Sequence, residues 1–581
     1  MRKVSTSSPN LVLRLPMWRS RVVLFLMFIG FIALLARAFW IQGPGNDFYE
    51  AKGSRVKRLQ ELPAVRGRIL DRNGEILATS LEAKAIIAYP ENIPSDLSQA
   101  KIQQFAKLLE MGESELRKKL GESRNQVYLR RQVDPDVALK IKALEIPGIS
   151  MTSEYRRFYP EGETMAQIVG FTNVEDKGQE GMELAREADL AGKSGQRRVI
   201  IDRLGRVVED VGDYQAPRNG QDLQLSIDSK IQSLAFEEVK AAVIRHKAKA
   251  GGAVVLDAQT GEVLALANWP TYNPNHRASL SGEQLRNRVL TDTFEPGSTM
   301  KPFTISLALE TGLVNPNTMV TIGKTLQIGT KHITDTHPYG TLTVSQIIQK
   351  SSNIGTGRLA LQMEPKGMWE MFQSVGLGQA PKIGFPGAVA GRLRPYQKWG
   401  KIDQATMAFG YGLSASLFQL ARAYTIFARD GELMPISIMK VNENPVGTRV
   451  ISAKTAIEVR NMLELVTMEG GTAKQAQVPG YRVGGKTGTA MKSSGKGGYA
   501  AGKYDGFFVG IAPISAPRIV VAVMVDEPTA NGHFGGDVAA PAFSRITDAT
   551  LRSLNILPDG SMKDLVFNTD GATAQKVSLP R

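Results

Sequence analysis

The sequence predicts a membrane-anchored protein whose mixed α/β (α+β) body divides into two domains. Three observations carry that expectation: an uncharged apolar run near the N-terminus, a stretch of short mixed elements to about residue 220, and a longer α/β pattern from 221 to 557. At 581 residues the chain exceeds what one hydrophobic core usually organises. With 42% apolar and 22% charged residues its composition is globular. The net charge of +15 suits an anionic neighbour such as DNA, anionic lipid or an anionic polymer, or simply a solvated basic surface. Neither basic-region heptads nor an RNA-binding aromatic signature is present, so nucleic acid ranks low as a partner. The chain has no cysteine, which removes disulfides, thiolate nucleophiles and thiolate metal centres. Its five histidines are scattered, and a structural or surface role is favoured for each, so no metal is expected.

Five basic and no acidic residues fall between Met1 and Arg21, and Val22 to Ala36 then runs without a charge. That is a membrane-targeting signal with its N-terminus inside. A span over residues 22–41 reaches the length needed for a bilayer core, about 20 residues, with Arg37 snorkelling and Trp40 at the interface. Ala36-Arg37-Ala38 also fits a signal-cleavage pattern. The uncleaved anchor is favoured because the basic leader is long and Ala38 to Ile41 continue the apolar run. Residues 1–21 then form a cytoplasmic tail, and everything beyond about 42 lies outside the cytoplasm.

In the first domain, residues 42–220, Asn73-Gly74 signals a tight hairpin between alternating apolar segments. A helix with Ile102, Phe105 and Leu109 on one face follows, with Ser95 as its expected cap. Another opens with Asp134 as cap and Pro135 at the first helical position. No catalytic constellation appears here, so the expected role is structural or docking. In the second domain, 221–557, a strand pair at 251–268 hinges at Thr260-Gly261. The tail 558–581 is polar and expected to be loosely ordered.

Residues Gly480 to Thr487, GYRVGGKT, satisfy the phosphate-loop pattern G-x-x-x-x-G-K-[ST]. Five glycines and two serines between Ala490 and Phe507 leave no room for the helix that such a loop requires. The stretch reads better as a strand, Tyr481 to Ala490, connected through glycine-rich sequence to another at Phe507, and nucleotide is not expected. Elsewhere, Pro296-Gly297 breaks the chain ahead of a strongly apolar helix expected to start near Ser298. Ser298 and Lys301 then stand three apart at its positive end. A serine hydroxyl is a poor nucleophile until a base takes its proton, and a desolvated lysine can be that base. Alone, S-x-x-K equally describes a capping serine followed by a surface lysine. Ser351-Ser352-Asn353 interrupts two helical runs, and Lys486-Thr487-Gly488-Thr489 closes the glycine-rich stretch.

Those three motifs in that order form the penicilloyl-serine transferase signature. The chain resembles class B penicillin-binding proteins, most of all the division-specific (FtsI) type. The likeness extends to Arg66–Gly74, Arg157–Pro160, Gly178–Glu183, Glu295–Ser298, Gly535-Gly536 and Ala539–Pro541. Glu295 and the single-pass leader tip the resemblance toward the septal enzyme over the elongation-type relative.

The resemblance implies a pedestal domain followed by a transpeptidase domain with a five-stranded antiparallel sheet flanked by helices. It implies Ser298 as acylated nucleophile, Lys301 as general base, Ser351 as proton relay and Lys486 as the electrostatic partner. Asn353, Thr487, Gly488 and Thr489 would bind substrate, and backbone N–H groups of Ser298 and Thr489 would form the oxyanion hole. Tyr504 and Phe534 are candidates for an aromatic wall, which His533 makes atypical. The implied substrates are peptidoglycan stem peptides, with β-lactams as acylating inhibitors and no cofactor. Implied partners are a polytopic glycan polymerase of the FtsW type and other divisome proteins at the bacterial inner membrane, with the catalytic domain in the periplasm. A D,D-carboxypeptidase, a serine β-lactamase and a non-catalytic membrane scaffold are the competing readings.

Overall fold

The computed structural model describes residues 17–42, 57–122, 126–201, 207–212, 214–278, 280–443, 445–493 and 498–560. The expectations for residues 1–16, for 561–581 and for the connection at 494–497 lie outside the described residues. The apolar run forms one helix, Met17–Gln42, whose length and composition suit a membrane span.

Two compact units follow from the packing. The smaller comprises the described residues up to Ala64 with Ala83–Glu154 and Lys193–Arg218. In it, strand Gly195–Ile201 pairs antiparallel with Lys57–Leu62 on one side and Val207–Asp210 on the other. A small core gathers Ile86, Phe105, Leu116, Val127 and Ile141. Helix Gln99–Leu108 is capped by Ser98, whose hydroxyl accepts from the Lys101 N–H, so the cap lies three residues beyond the expected Ser95. Helix Pro135–Lys142 opens as expected, with Asp134 at the cap position and proline in its first turn.

The larger unit holds Val65–Glu82, Tyr155–Gly192 and Asn219–Arg581. Two segments that the sequence groups with the pedestal therefore pack into it, and buried charges join the two segments to each other. Buried Glu183 accepts from Arg66 Nε at 2.6 Å and from Arg157 Nε at 2.7 Å. Arg66 also donates to Glu187 at 2.7 Å, and Arg157 to the Gly67 carbonyl at 2.7 Å. The paired carboxylates raise the Arg66 guanidinium above its ordinary value even though burial opposes the charge. The Asn-Gly hairpin forms as its sequence dictates: Asp71 Oδ1 accepts from the Asn73 and Glu75 N–H groups, and Gly74 takes φ +93°.

The main body is a five-stranded sheet of β1 (Ala250–Asp257), β2 (Val263–Trp269), β3 (Gly484–Ser493), β4 (Tyr499–Ala512) and β5 (Ile519–Asp526). All pairings are antiparallel, in the order β2-β1-β5-β4-β3, so β3 is an edge. Every residue of β1 and β5 is buried. A Cβ on Gly251 would meet Val243 of helix α1 (Ser229–Arg245), and one on its neighbour Gly252 would meet Val289, so both faces are covered. At the expected Thr260-Gly261 hinge, Gly261 adopts φ +71° and lies against the Pro435 carbonyl, where a side chain has no space.

Removing the carboxylate of Glu183 leaves two guanidiniums buried without their common partner. Glu183→Ala is expected to lower stability by about 3–5 kcal/mol. Denaturant melts of the detergent-solubilised chain check this.

Candidate active site

Ser298 lies in a single 3-10 turn, Gly297–Met300, that runs directly into α2 (Lys301–Glu310). The sequence expects the helix to start at this point, and Pro302 is tolerated because it falls in the first turn. The turn is held from three sides. Gly297, at φ +56°, donates its N–H to the Gly410 carbonyl at 3.2 Å, and a Cβ on Gly410 would stand 2.1 Å from Gly297 O. Thr299 Oγ1 donates back to the Pro296 carbonyl at 2.7 Å. Tyr424 donates its hydroxyl to the Thr299 carbonyl at 2.8 Å.

Lys301 is fully buried, and its Nζ lies 3.0 Å from Ser351 Oγ and against the Ser351 carbonyl. Ser351 links helices α3 (Val344–Lys350) and α4 (Asn353–Ala360) and adopts the left-handed conformation, φ 59° and ψ 41°. A serine held there is strained by about 1–2 kcal/mol. The strain accompanies an arrangement in which one residue offers both its hydroxyl and its carbonyl to Lys301. On its other side Lys486, also fully buried, places Nζ 3.0 Å from the same Ser351 Oγ and 3.2 Å from Thr487 Oγ1. Two lysines thus converge on one hydroxyl.

Their environment sets their charge. Burial, then the nearby Lys486, pushes Lys301 far below its ordinary value, while Asp335 pulls the other way. Burial alone brings Lys486 down to about 7. Like charges in a desolvated space disfavour a second proton, so the pair resists being doubly charged at neutral pH.

Asp335, which sequence reasoning passed over, organises the next motif. Its carboxylate accepts from Ser352 Oγ at 2.5 Å and from the N–H groups of Asn353 and Ile354 at 2.5 and 3.0 Å, at the positive end of α4. Asn353 Nδ2 donates to the Thr334 carbonyl at 3.2 Å. Nothing in the local sequence marks this aspartate, because it acts from 18 residues upstream of Asn353.

β3 brings Lys486, Thr487, Gly488 and Thr489 to the same place. The strand runs Gly484–Ser493, three residues later than the expected Tyr481–Ala490, and its partner β4 starts at Tyr499 instead of Phe507. Two of the glycines after Ala490 lie in the hairpin: Gly506 pairs with Thr489, and Gly502 takes φ +72° within β4. No helix follows Lys486, which disposes of the phosphate loop. Gly488 has a local purpose, since a Cβ there would come within 2.9 Å of Thr299 and 3.0 Å of the Pro296 carbonyl. Thr487 Oγ1 lies 2.9 Å from Thr472 Oγ1, and Thr489 Oγ1 accepts from the Gly535 N–H at 3.1 Å. Thr472 is a second residue that the sequence did not flag.

Tyr504 and Phe534 are not neighbours by themselves. His533 stacks between them, at ring-centroid distances of 4.4 and 4.3 Å. Glu295 accepts from the Gly412 N–H at 2.8 Å and from the Tyr499 hydroxyl at 2.9 Å. A separate cavity of about 340 Å³, bordered by Gln167, Glu180, Tyr272 and Phe385, includes none of the motif residues.

A partly exposed serine three residues before a buried lysine of lowered proton affinity, with a threonine-bearing edge strand in the same unit, is compatible with a serine acyltransferase of the penicillin-recognising class. Comparison with known proteins gives the same class. The family model for the penicillin-binding protein transpeptidase domain matches residues 251–548, and that for the penicillin-binding protein dimerisation domain matches 61–225. The chain is 43% identical over 544 residues to the probable peptidoglycan D,D-transpeptidase PenA of Neisseria gonorrhoeae, covering 93% of both chains. It is 39% identical over 569 residues to the peptidoglycan D,D-transpeptidase FtsI of Escherichia coli, covering 96% of both. Among solved structures, the transpeptidase domain of Burkholderia pseudomallei penicillin-binding protein 3 matches at 57% identity and a TM-score of 0.54, over 58% of this chain and 98% of that one. A peptidoglycan synthetase from Bifidobacterium adolescentis matches at 26% identity and a TM-score of 0.69, over 87% and 98%. The chain belongs to the class B penicillin-binding proteins and is a peptidoglycan D,D-transpeptidase.

The lysine environment has a measurable cost. Lys486 titrates near 7 when folded but near 10.4 as a free side chain. Between those values the unfolded chain binds more protons, so the penalty is full below about 7 and fades as pH rises toward about 10. Lys486→Met is therefore expected to raise the melting temperature at pH 6, with the gain shrinking toward pH 10. Thermal melts across that range check the sign.

Proposed function

We propose that the transpeptidase works through a serine acyl-enzyme, with Ser298 as nucleophile and Lys301 as its general base. The observation that carries this reading is the pair of desolvated lysines sharing Ser351 Oγ. Lys301 in its neutral form has a lone pair with which to take the Ser298 proton as Oγ attacks the penultimate D-alanine carbonyl of a stem peptide. Ser351, between Lys301 and Lys486, then passes a proton to the departing D-alanine amine. Lys486 keeps the field positive where the carboxylate of the donor binds, and Thr487 and Thr489 receive that carboxylate by hydroxyl donation. The N–H groups of Ser298 and Thr489 stabilise the tetrahedral oxyanion, a contribution of about 3–4 kcal/mol per donor. Asn353 binds the peptide amide, Gly488 lets the peptide backbone approach the strand, and the stacked Tyr504, His533 and Phe534 rings form a wall beside Thr489. An amine of a neighbouring stem peptide takes the acyl group and regenerates Ser298. A β-lactam enters by the same first step and stays.

We infer a single-pass anchor over residues 22–41 in the inner membrane, a cytoplasmic tail at 1–21, a periplasmic pedestal at 42–220, a periplasmic catalytic domain at 221–557 and a C-terminal tail at 558–581. The helix Met17–Gln42 and its basic leader support that topology. Glu295 ahead of Pro296-Gly297 supports a role at the division septum, where the anchor and pedestal would engage a polytopic glycan polymerase of the FtsW type and other divisome proteins.

Incubating the solubilised chain with benzylpenicillin is expected to add one penicilloyl group, read by intact mass. Ser298→Ala should abolish the adduct with the melting temperature unchanged, and an unlabelled wild type would sink the assignment. Replacing residues 22–41 with an unrelated span is expected to weaken co-purification with the polymerase while leaving penicilloylation intact.

A further inference from the structure

Three residues beyond Thr489, the edge strand β3 makes a second cluster that the proposed acyl transfer does not use. Lys492 stands at a register shift between Met491 and Ser493. Its ammonium contacts Asp526 Oδ1, lies 2.9 Å from Glu527 Oε1 and 3.9 Å from Asp505 Oδ1. Asp505 is on β4, opposite Ala490 on one side and opposite Asp526 of β5 on the other. The Lys492 side chain therefore passes over one strand to reach the next, across about 9–10 Å of sheet. Ala490, whose side chain ends at Cβ, leaves the face open for that crossing.

The charges in the cluster nearly balance. Facing Asp505 are Lys492 from β3, Asp526 and Glu527 from the end of β5, and Lys503 on its own strand, whose Nζ pairs with Glu527 at 3.0 Å. The neighbouring Tyr504 carries the stacked His533 ring. Two ammonium groups thus meet two carboxylates and a third carboxyl that is mostly buried, its Oδ1 lacking a hydrogen-bond donor. Burial and then Asp526 raise Asp505 to about 8, so it stays protonated at neutral pH and the count closes at zero. Among the described residues no group of three or more His, Asp or Glu side chains is arranged to hold a metal, so the carboxylates are there for the lysine.

An edge strand has neighbours on one side only, and the substrate must be received along the other. Among the described residues, β3 beyond Thr489 pairs with β4 alone, and that pairing slips between Met491 and Ser493, yet Thr489 and its N–H require a fixed position within a fraction of an ångström. We propose that Lys492 is a positioning residue for acyl transfer: by clamping β3 to Asp526 and Glu527 across β4, it sets the register of Thr487 and Thr489 against Ser298. The clamp rests on the Ser298 reading above and extends it to residues that touch no substrate.

The test is the second-order rate of penicilloylation of the full solubilised chain with benzylpenicillin, measured from pH 6 to 9.5 with melting temperatures in parallel. Lys492→Met is expected to slow acylation at pH 7 by about tenfold, the size of effect that small misplacement of a reacting group produces. Lys492→Arg, which keeps the charge and reach, should recover most of that loss. Asp505→Asn, a neutral mimic of the protonated carboxyl, should match wild type at pH 7 and lack the part of the alkaline decline that wild type shows above about pH 8. A Lys492→Met chain acylated at the wild-type rate would overturn the proposal, as would an Asp505→Asn chain that keeps the wild-type decline. Should Lys492→Met fail to fold, the Arg variant and the Asp505→Asn profile still decide it. An unlabelled wild type would instead overturn the Ser298 reading itself.

Discussion

Two lysine side chains buried against one serine hydroxyl set the terms for the rest of the catalytic unit. Lys301 and Lys486 approach Ser351 Oγ to 3.0 Å each, and neither is exposed. In so dry a space two full positive charges repel strongly and lose their hydration, so the arrangement is tenable only when protons are shared sparingly between them. The consequence is that both amines hold a proton less readily than a free lysine does. The hydroxyl between them has two lone pairs and one hydrogen, enough to receive from one lysine while giving to the other or to a leaving group. Site chemistry and site cost are therefore the same fact.

Such a cluster survives because backbone contacts on either side leave it nowhere to relax. Gly297 against Gly410, and Gly488 against Thr299 and Pro296, bring main chains closer than any side chain permits. Tyr424 and Thr299 fasten the serine turn with hydrogen bonds to carbonyls. Asp335 satisfies the first turn of α4 and, with it, the geometry of Ser352 and Asn353. Most of these constraints act on backbone, and they add to the hydrogen bonds that hold the lysine side chains directly.

What the sequence disclosed and what it hid divide along that line. Ser298, Lys301, Ser351, Asn353 and Lys486 were singled out by residue types at short spacings within each motif, the resemblance put the three motifs in order, and the fold brings Lys301 and Lys486 together on Ser351. The five-stranded antiparallel sheet followed from the same resemblance, and β1 and β5 are buried throughout, apolar up to the aspartate that ends each. Asp335, Thr472 and His533 were harder to find because their roles come from tertiary proximity. The Ser95 cap missed by three residues and the start of β4 by eight, where two serines or a run of glycines leave the local choice nearly degenerate. The division of the chain was also hidden: Arg66, Arg157 and Glu183 lie in separate stretches of sequence, and only the fold shows one carboxylate joining them.

That Arg-Glu-Arg cluster and the lysine pair show how one chain uses buried charge in opposite ways. Glu183 is bracketed by two guanidiniums, and Glu187 takes up a further N–H of Arg66, so opposite charges meet at hydrogen-bond distance and the Arg66 guanidinium is raised despite its burial. Around Lys301 the nearest carboxylate is Asp335, but its oxygens are occupied by one hydroxyl and two backbone N–H groups. It raises the lysine's proton affinity only through space, without a direct salt bridge. A carboxylate bonded directly to Lys301 would oppose the effect of burial far more strongly, whereas Asp335, committed elsewhere by its hydrogen bonds, opposes it only in part and leaves the net shift downward, and the same hydrogen bonds fix the loop that carries Ser351.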